Sequence, residues 1–174
     1  ETQPPESMER AATPADPHAG HGAMKSPPPK RDAQPAWMRP PHPEPGEPGK
    51  HYKPTVTLNG STLPWKVVDG VKVMHLTAEE VWHEFVPKTD ANETLRAKCW
   101  GYNGQGHGPT IECVEGDRLR IYVTNKLPAP TSVHWHGLAA PPEMDGHPSD
   151  PIAPGQSRDI AFPIVDRAGT YWYH

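Results

Sequence analysis

The chain predicts an all-β domain, an antiparallel sandwich or barrel, behind a proline-rich tail. Three observations carry that reading. Beyond Pro54, short apolar alternations recur at near-regular spacing, the pattern of half-buried strands. Gly, Pro and Asn-Gly punctuate them, as the connections of such folds require. Only "TAEEVW" (77–82) looks helical, and its charges permit one turn of helix at most.

The tail comes first. Residues 1–50 hold thirteen of the 25 prolines and almost no β-branched residues. Proline removes backbone donors and is excluded from helix interiors and central strands. Residues 1–53 are therefore expected to be disordered or polyproline-like, and 54–174 to form the domain. His18, His21 and His42 in the tail read as solvated bystanders rather than a metal site. Roughly 120 residues close one sandwich core and leave no room for a second.

The strands come next, in chain order. "TVTL" (55–58) runs into an Asn-Gly-Ser turn. "VKVMHL" (71–76) sets Val71, Val73 and His75 against Lys72, Met74 and Leu76. "EVWHEFV" (80–86) sets Val81, His83 and Phe85 against Trp82, Glu84 and Val86. "LRAKCWGYNGQ" (95–105) ends in Asn-Gly. "TIECVEGDRLRIYVTN" (110–125) reads as two strands joined at Gly116-Asp117, the second turning Leu119, Ile121 and Val123 to one side. "RDIAFPIV" (158–165) does the same with Ile160, Phe162 and Ile164.

Composition narrows the function. Net charge is −4, with no basic run and no aromatic-basic interleaving, so nucleic acid is not the expected partner. Nothing approaches the ~20 consecutive apolar residues of a membrane helix. Two cysteines are too few for a disulfide framework. Eleven histidines against two phenylalanines point toward metal. The chain opens on Glu1 rather than methionine, which fits a processed or cut protein, and an export signal is not visible.

The sharpest chemistry is in "SVHWHG" (132–137). On a helix, positions i and i+2 diverge; on a strand they share a face, about 6–7 Å apart. Val133 and Trp135 favour the strand, and Gly137 ends it. Two such imidazoles can ligate one ion or two neighbours, and copper suits nitrogen ligands. A half-exposed strand carrying two polar histidines is the plain alternative.

The residues downstream of the pair decide between the two. "TSVHWHGLAAPPEMDGHPSDPIAPGQSRDIAFPIVDRAGTYWYH" and the preceding "YNGQGHGPTIECVEGDRLRIYVTNKL" (102–127) resemble the first domain of the multicopper oxidases, the laccase-like enzymes. The shared features are His-x-His-Gly, a Met-Asp-Gly turn, a Pro-Ile-x-Pro-Gly-x-Ser loop and Gly-Thr-Tyr-x-Tyr-His, in that order. Two departures stand out: Ser149-Asp150 replaces the usual Thr-Gln, and His107 occupies a common proline position.

The resemblance implies a cupredoxin-like Greek-key β-sandwich or barrel. It further implies that His134 binds the type 2 copper, and that His136 and His174 bind one type 3 copper. Asp145 would help deliver protons to the three-copper cluster, although Asp-Gly is also a strong turn signal. The family's next histidine would lie two positions past His174, so the chain is expected to be a truncated first domain. Trp135, Trp172 and Tyr173 either wall the cluster or belong to the core.

A blue (type 1) copper needs a thiolate with two imidazoles. Cys99 ("AKCWGY") and Cys113 ("IECVEG") have no neighbouring histidine, so that copper is expected outside this chain. The two cysteines read as buried small hydrophobes or as one inter-strand disulfide. His51, His75, His83 and His147 have no compelling spacing.

The expected function is thus the N-terminal part of an oxidase that reduces O2 to water while one-electron donors, phenols or metal ions, are oxidised. Further cupredoxin domains of the same protein would complete the cluster, and this chain alone would be inactive. The resemblance implies a periplasmic or secreted protein. The alternative is a non-catalytic copper-binding or copper-resistance protein, for which the tail's "HAGHGAM" offers donors.

Overall fold

Strand β2 organises the domain. It runs without a break over Val71–Val86, and three other strands pair with it. The computed structural model describes residues 36–38 and 43–174; the tail reading for residues 1–35 and 39–42 lies outside the described residues, as do His18, His21 and His42. β1 (Trp65–Val68) and the first residues of β2 form a hairpin closed by Asp69-Gly70. Both turn residues have positive φ, 50° and 71°, which is the two-residue turn whose twist matches its strands.

β3 (Leu95–Tyr102) pairs antiparallel with the far half of β2. β4 (Arg118–Asn125) pairs parallel with the near half, Lys72 opposite Leu119 through Ala78 opposite Asn125. Ala78 has partners in both β3 and β4, so these strands lie on opposite edges of β2. A two-stranded ribbon of β5 (Trp135–His136) and β7 (Trp172–Tyr173) stands apart from this sheet, whose last member, β6 (Ser157–Pro163), adds antiparallel to β4.

The core is the set of side chains that alternation predicts. Leu119, Ile121 and Val123 of β4 and Ile160 and Phe162 of β6 are at most 2 % exposed. They pack on Met74 and Leu76 of β2, on Trp135 of β5 and on Val133 and Ile152 of the connecting segments. Burial of such side chains contributes about 1.5–3 kcal/mol each.

Several expectations need correcting. "TVTL" is not a strand; Val56 and Leu58 are almost fully exposed. "VKVMHL" and "EVWHEFV" are one strand, so "TAEEVW" is extended rather than helical. Pairing with β4 at Thr77 and Ala78 and with β3 over Ala78–Trp82 holds that stretch extended, which overrides a weak local preference. The segment before Gly116 makes only an isolated bridge, Thr62 with Thr110. The sheet is mixed rather than wholly antiparallel, because β2 and β4 run the same way.

Packing against the domain begins ahead of Pro54. Gly46 N–H donates to the buried Asp117 carboxylate at 2.7 Å. The same carboxylate accepts from Val114 N–H at 2.9 Å and pairs with Lys72 Nζ at 2.7 Å. Lys72 is fully buried, its ammonium also over the Trp65 ring at 4.7 Å. A buried charge is tolerable only with this degree of compensation.

Asn103-Gly104 turns as the sequence predicts, with φ of 48° and 76°. The Asn103 amide then ties the turn to β2, accepting from Thr77 N–H at 2.7 Å and donating to His75 carbonyl at 3.1 Å. Beyond β4, the buried Asn125 amide donates to the carbonyls of Ala129 and Ile152 and accepts from Leu127 N–H. That fixes the connection leading into β5.

Candidate metal centre

The ribbon builds the site. Trp135 pairs with Tyr173 and His136 with Trp172, and the pairing extends one residue further. His134 N–H donates to the His174 carbonyl at 2.8 Å, and His174 N–H returns the bond at 3.1 Å. Two segments far apart in sequence therefore deliver their histidines to one place. The rings of His134 and His136 lie 5.5 Å apart between centroids, with His174 at 5.3 Å and 5.6 Å from them. One donor nitrogen from each falls within 4.8 Å of the others. His136 Nδ1 and His174 Nε2 approach to 3.4 Å.

Ribbon alternation puts the intervening side chains to structural use. Trp135 is buried against Phe162 at 5.6 Å and donates its indole N–H to the Met144 carbonyl at 3.0 Å. Tyr173 is half-buried and donates its hydroxyl to the Pro109 carbonyl at 2.7 Å. Burial, with Tyr102 beside it, pushes the Tyr173 phenol well above its ordinary range. Trp172 behaves differently. It is 59 % exposed and lies against His136 at 4.6 Å and His174 at 4.5 Å.

The Met144-Asp145-Gly146 turn closes on His134 from the other side. His134 Nδ1 is 3.0 Å from both the Asp145 carbonyl oxygen and its carboxylate Oδ1. Trp135 N–H also points to that carboxylate, at 3.4 Å. Gly146 makes this approach possible: its φ is 73°, and a Cβ there would collide with the Val133 carbonyl. With a proton on Nδ1 facing two oxygens, Nε2 of His134 keeps its lone pair for a ligand.

An open cleft of about 610 Å³ borders His134, Asp145, His147 and His174. Spacing alone gives His147 no role, and its Nδ1 is engaged by Ser149 through the hydroxyl at 2.8 Å and N–H at 3.2 Å. Thus His134, His136, His174 and Asp145 meet. His75 does not join them; it stacks on Tyr122 at 5.2 Å. His51 accepts from Glu47 N–H, and His83 sits beside His107. Cys99 and Cys113 are both free, so the disulfide alternative is not realised. Burial, then the Asp117 charge, raises the Cys113 thiol to about 11.

A mixed β-domain carrying three convergent imidazoles on a short ribbon is a cupredoxin-like domain with a metal-ligand constellation. The sequence profile of the multicopper oxidases matches residues 86–174. This chain belongs to the multicopper oxidase family, and copper is that family's cofactor. Multicopper oxidase mco of Staphylococcus aureus is 39 % identical over 111 residues, 64 % of this chain and 24 % of that protein. Copper resistance protein A of Pseudomonas syringae pv. tomato is 43 % identical over 82 residues, 45 % of this chain and 13 % of the relative. The structure of a multicopper oxidase from Campylobacter jejuni, described as a metallo-oxidase, superposes with a TM-score of 0.57 at 37 % identity, covering 66 % of this chain and 24 % of that one. The chain thus spans about a quarter of the length of the first of these relatives. Among the described residues no helix is long and apolar enough to cross a membrane.

Proposed function

We propose that this chain is the first cupredoxin domain of an O2-reducing multicopper oxidase, with its barrel over residues 54–174 and residues 1–53 as a leading segment. His134 would hold the type 2 copper, and His136 and His174 one type 3 copper. The observation that carries the reading is the convergence of three imidazoles with donor atoms within 4.8 Å. The donor set fits: neutral imidazole suits copper, and Nδ1 of His134 is already committed to Asp145. The short His136–His174 approach supports a shared ion for that pair. Bound copper would supply one-electron redox chemistry for reducing O2.

This chain's own residues orient and exclude. Asp145 fixes the His134 tautomer and borders the cleft, where its carboxylate would receive solvent protons and pass them inward. Trp172 and Tyr173 hold the ribbon that carries His174. Further domains of the same protein would supply the remaining ligands and the type 1 site, since among the described residues neither Cys99 nor Cys113 joins histidines in a group that could hold an ion. Phenols or metal ions are the donor class, and the periplasm or cell exterior the setting.

The test is the coding sequence beyond His174, together with oxygen uptake by its whole product. The reading expects a second His-x-His region and a His-Cys-His run, and oxygen consumption lost in His134→Ala. A coding sequence without those motifs, or a His134→Ala enzyme with undiminished turnover, would falsify it. The 174-residue chain by itself is expected to take up no oxygen.

A further inference from the structure

A second histidine pair lies outside the ribbon. His83 projects from β2 on the face shared with Val81 and Phe85, opposite the small Ala97 of β3. His107 is carried by the loop after β3, and its ring centroid is 5.0 Å from that of His83, at 71°. The two positions are 24 residues apart, so no motif announces them.

The surroundings suit a ligand. Gly106 lets the loop lie directly on the His83 ring: a Cβ there would come within 3.1 Å of Cγ and Nδ1. Phe85 supports that ring edge-on at 4.7 Å. His107 is exposed to solvent, which leaves its ring room to turn toward its neighbour. The loop itself is fixed at both ends. Tyr102 and Gln105 exchange backbone bonds, and Tyr173 holds the Pro109 carbonyl. Among the described residues neither imidazole has a hydrogen-bond partner, whereas those of His51, His134 and His147 are tied to neighbours. Cys99, on the same face, turns its Sγ to the Ala97 carbonyl at 3.7 Å and adds no donor to the pair.

We propose that His83 and His107 form a second metal site, a two-imidazole clip for one copper or zinc ion, sharing no ligand with the His134–His136–His174 cluster. Two neutral imidazoles without a carboxylate favour a borderline-to-soft ion over a hard one such as Mg²⁺ or Ca²⁺. The lower ligand count makes it the weaker and more exchangeable of the two sites.

Ring-nitrogen NMR of the 174-residue chain during addition of Zn(II) separates the sites residue by residue. The expected result is that His83 and His107 ring signals shift together, saturating with an equivalent of their own. In His107→Asn the His83 response should vanish while His134, His136 and His174 still respond, which also reports that the domain is folded. With Cu(I) as probe, the same variant should lose one bound equivalent. His83 and His107 signals that stay still, or a His83 response that survives His107→Asn, would overturn the proposal.

Discussion

Nδ1 of His134 sits 3.0 Å from two oxygens of a single residue, the backbone carbonyl and the side-chain carboxylate of Asp145. One residue eleven positions downstream thereby sets the orientation and tautomer of an imidazole. The backbone contact would survive any substitution that preserves the turn; the carboxylate contact would not.

Asp145→Asn is therefore expected to weaken copper binding by roughly 10–100-fold without unfolding the domain. Competition for Cu(I) against a chromophoric chelator reads the change, and circular dichroism reads the fold. Unaltered affinity would show that the carbonyl alone orients the ring.

Trp172 makes a second prediction. An indole 59 % exposed to solvent contributes little to the core, yet it lies against two imidazoles at 4.5–4.6 Å. Trp172→Ala should loosen His136 and His174 and lower copper affinity, while Trp172→Phe restores most of it. Thermal stability should change little in either. Equal losses in both variants would assign the contact to the indole's own chemistry rather than to stacking.

Lys72 and Asp117 are 0 % and 1 % exposed and 2.7 Å apart. Removing one partner of a buried pair strands the other, a loss of about 3–5 kcal/mol. Lys72→Met should fall in that range by urea denaturation. Asp117→Ala should add loss of the bonds from Gly46 and Val114, loosening the segment ahead of Pro54 as well.

Cys113 gives the pH dependence. Its thiol is raised from 9.0 to about 11, first by burial and then by Asp117. Because the folded value lies above the unfolded one, this contribution is fully present below pH 9 and is lost as pH rises through about 11. Unfolding free energy should accordingly decline across that window. At pH 8 Cys113 is held overwhelmingly as the thiol, so iodoacetamide should label it only slowly until the protein is denatured.

Sequence carried the parts governed by short-range pattern. The inward residues of β4 and β6 follow strict alternation, and Asn103-Gly104 turns as its chemistry demands. His134 and His136 share a side, as alternate positions on extended chain must. The rest depended on pairing at long range. Nothing in "TAEEVW" reveals that β3 will pair along Ala78–Trp82 while β4 takes up Thr77 and Ala78, and the parallel β2–β4 ladder leaves no local mark. Asp69-Gly70, between Val68 and Val71, is a hairpin signal of the readable kind, though the first half of that hairpin carries no clear alternation. Residues 110–115 alternate too, yet only Thr110 finds a bridge partner. The approach of His107 to His83 required the folded loop.

The reciprocal bonds between His134 and His174 carry one more consequence. His136 and His174 are 38 positions apart, and an ion gripped by both would act as a clasp on the whole intervening stretch. Opening the ribbon would then require releasing the ion, so protease cleavage between these residues should slow as copper is added. Ligand capture and closure of this stretch become a single event, in which the metal locks the shape that receives it.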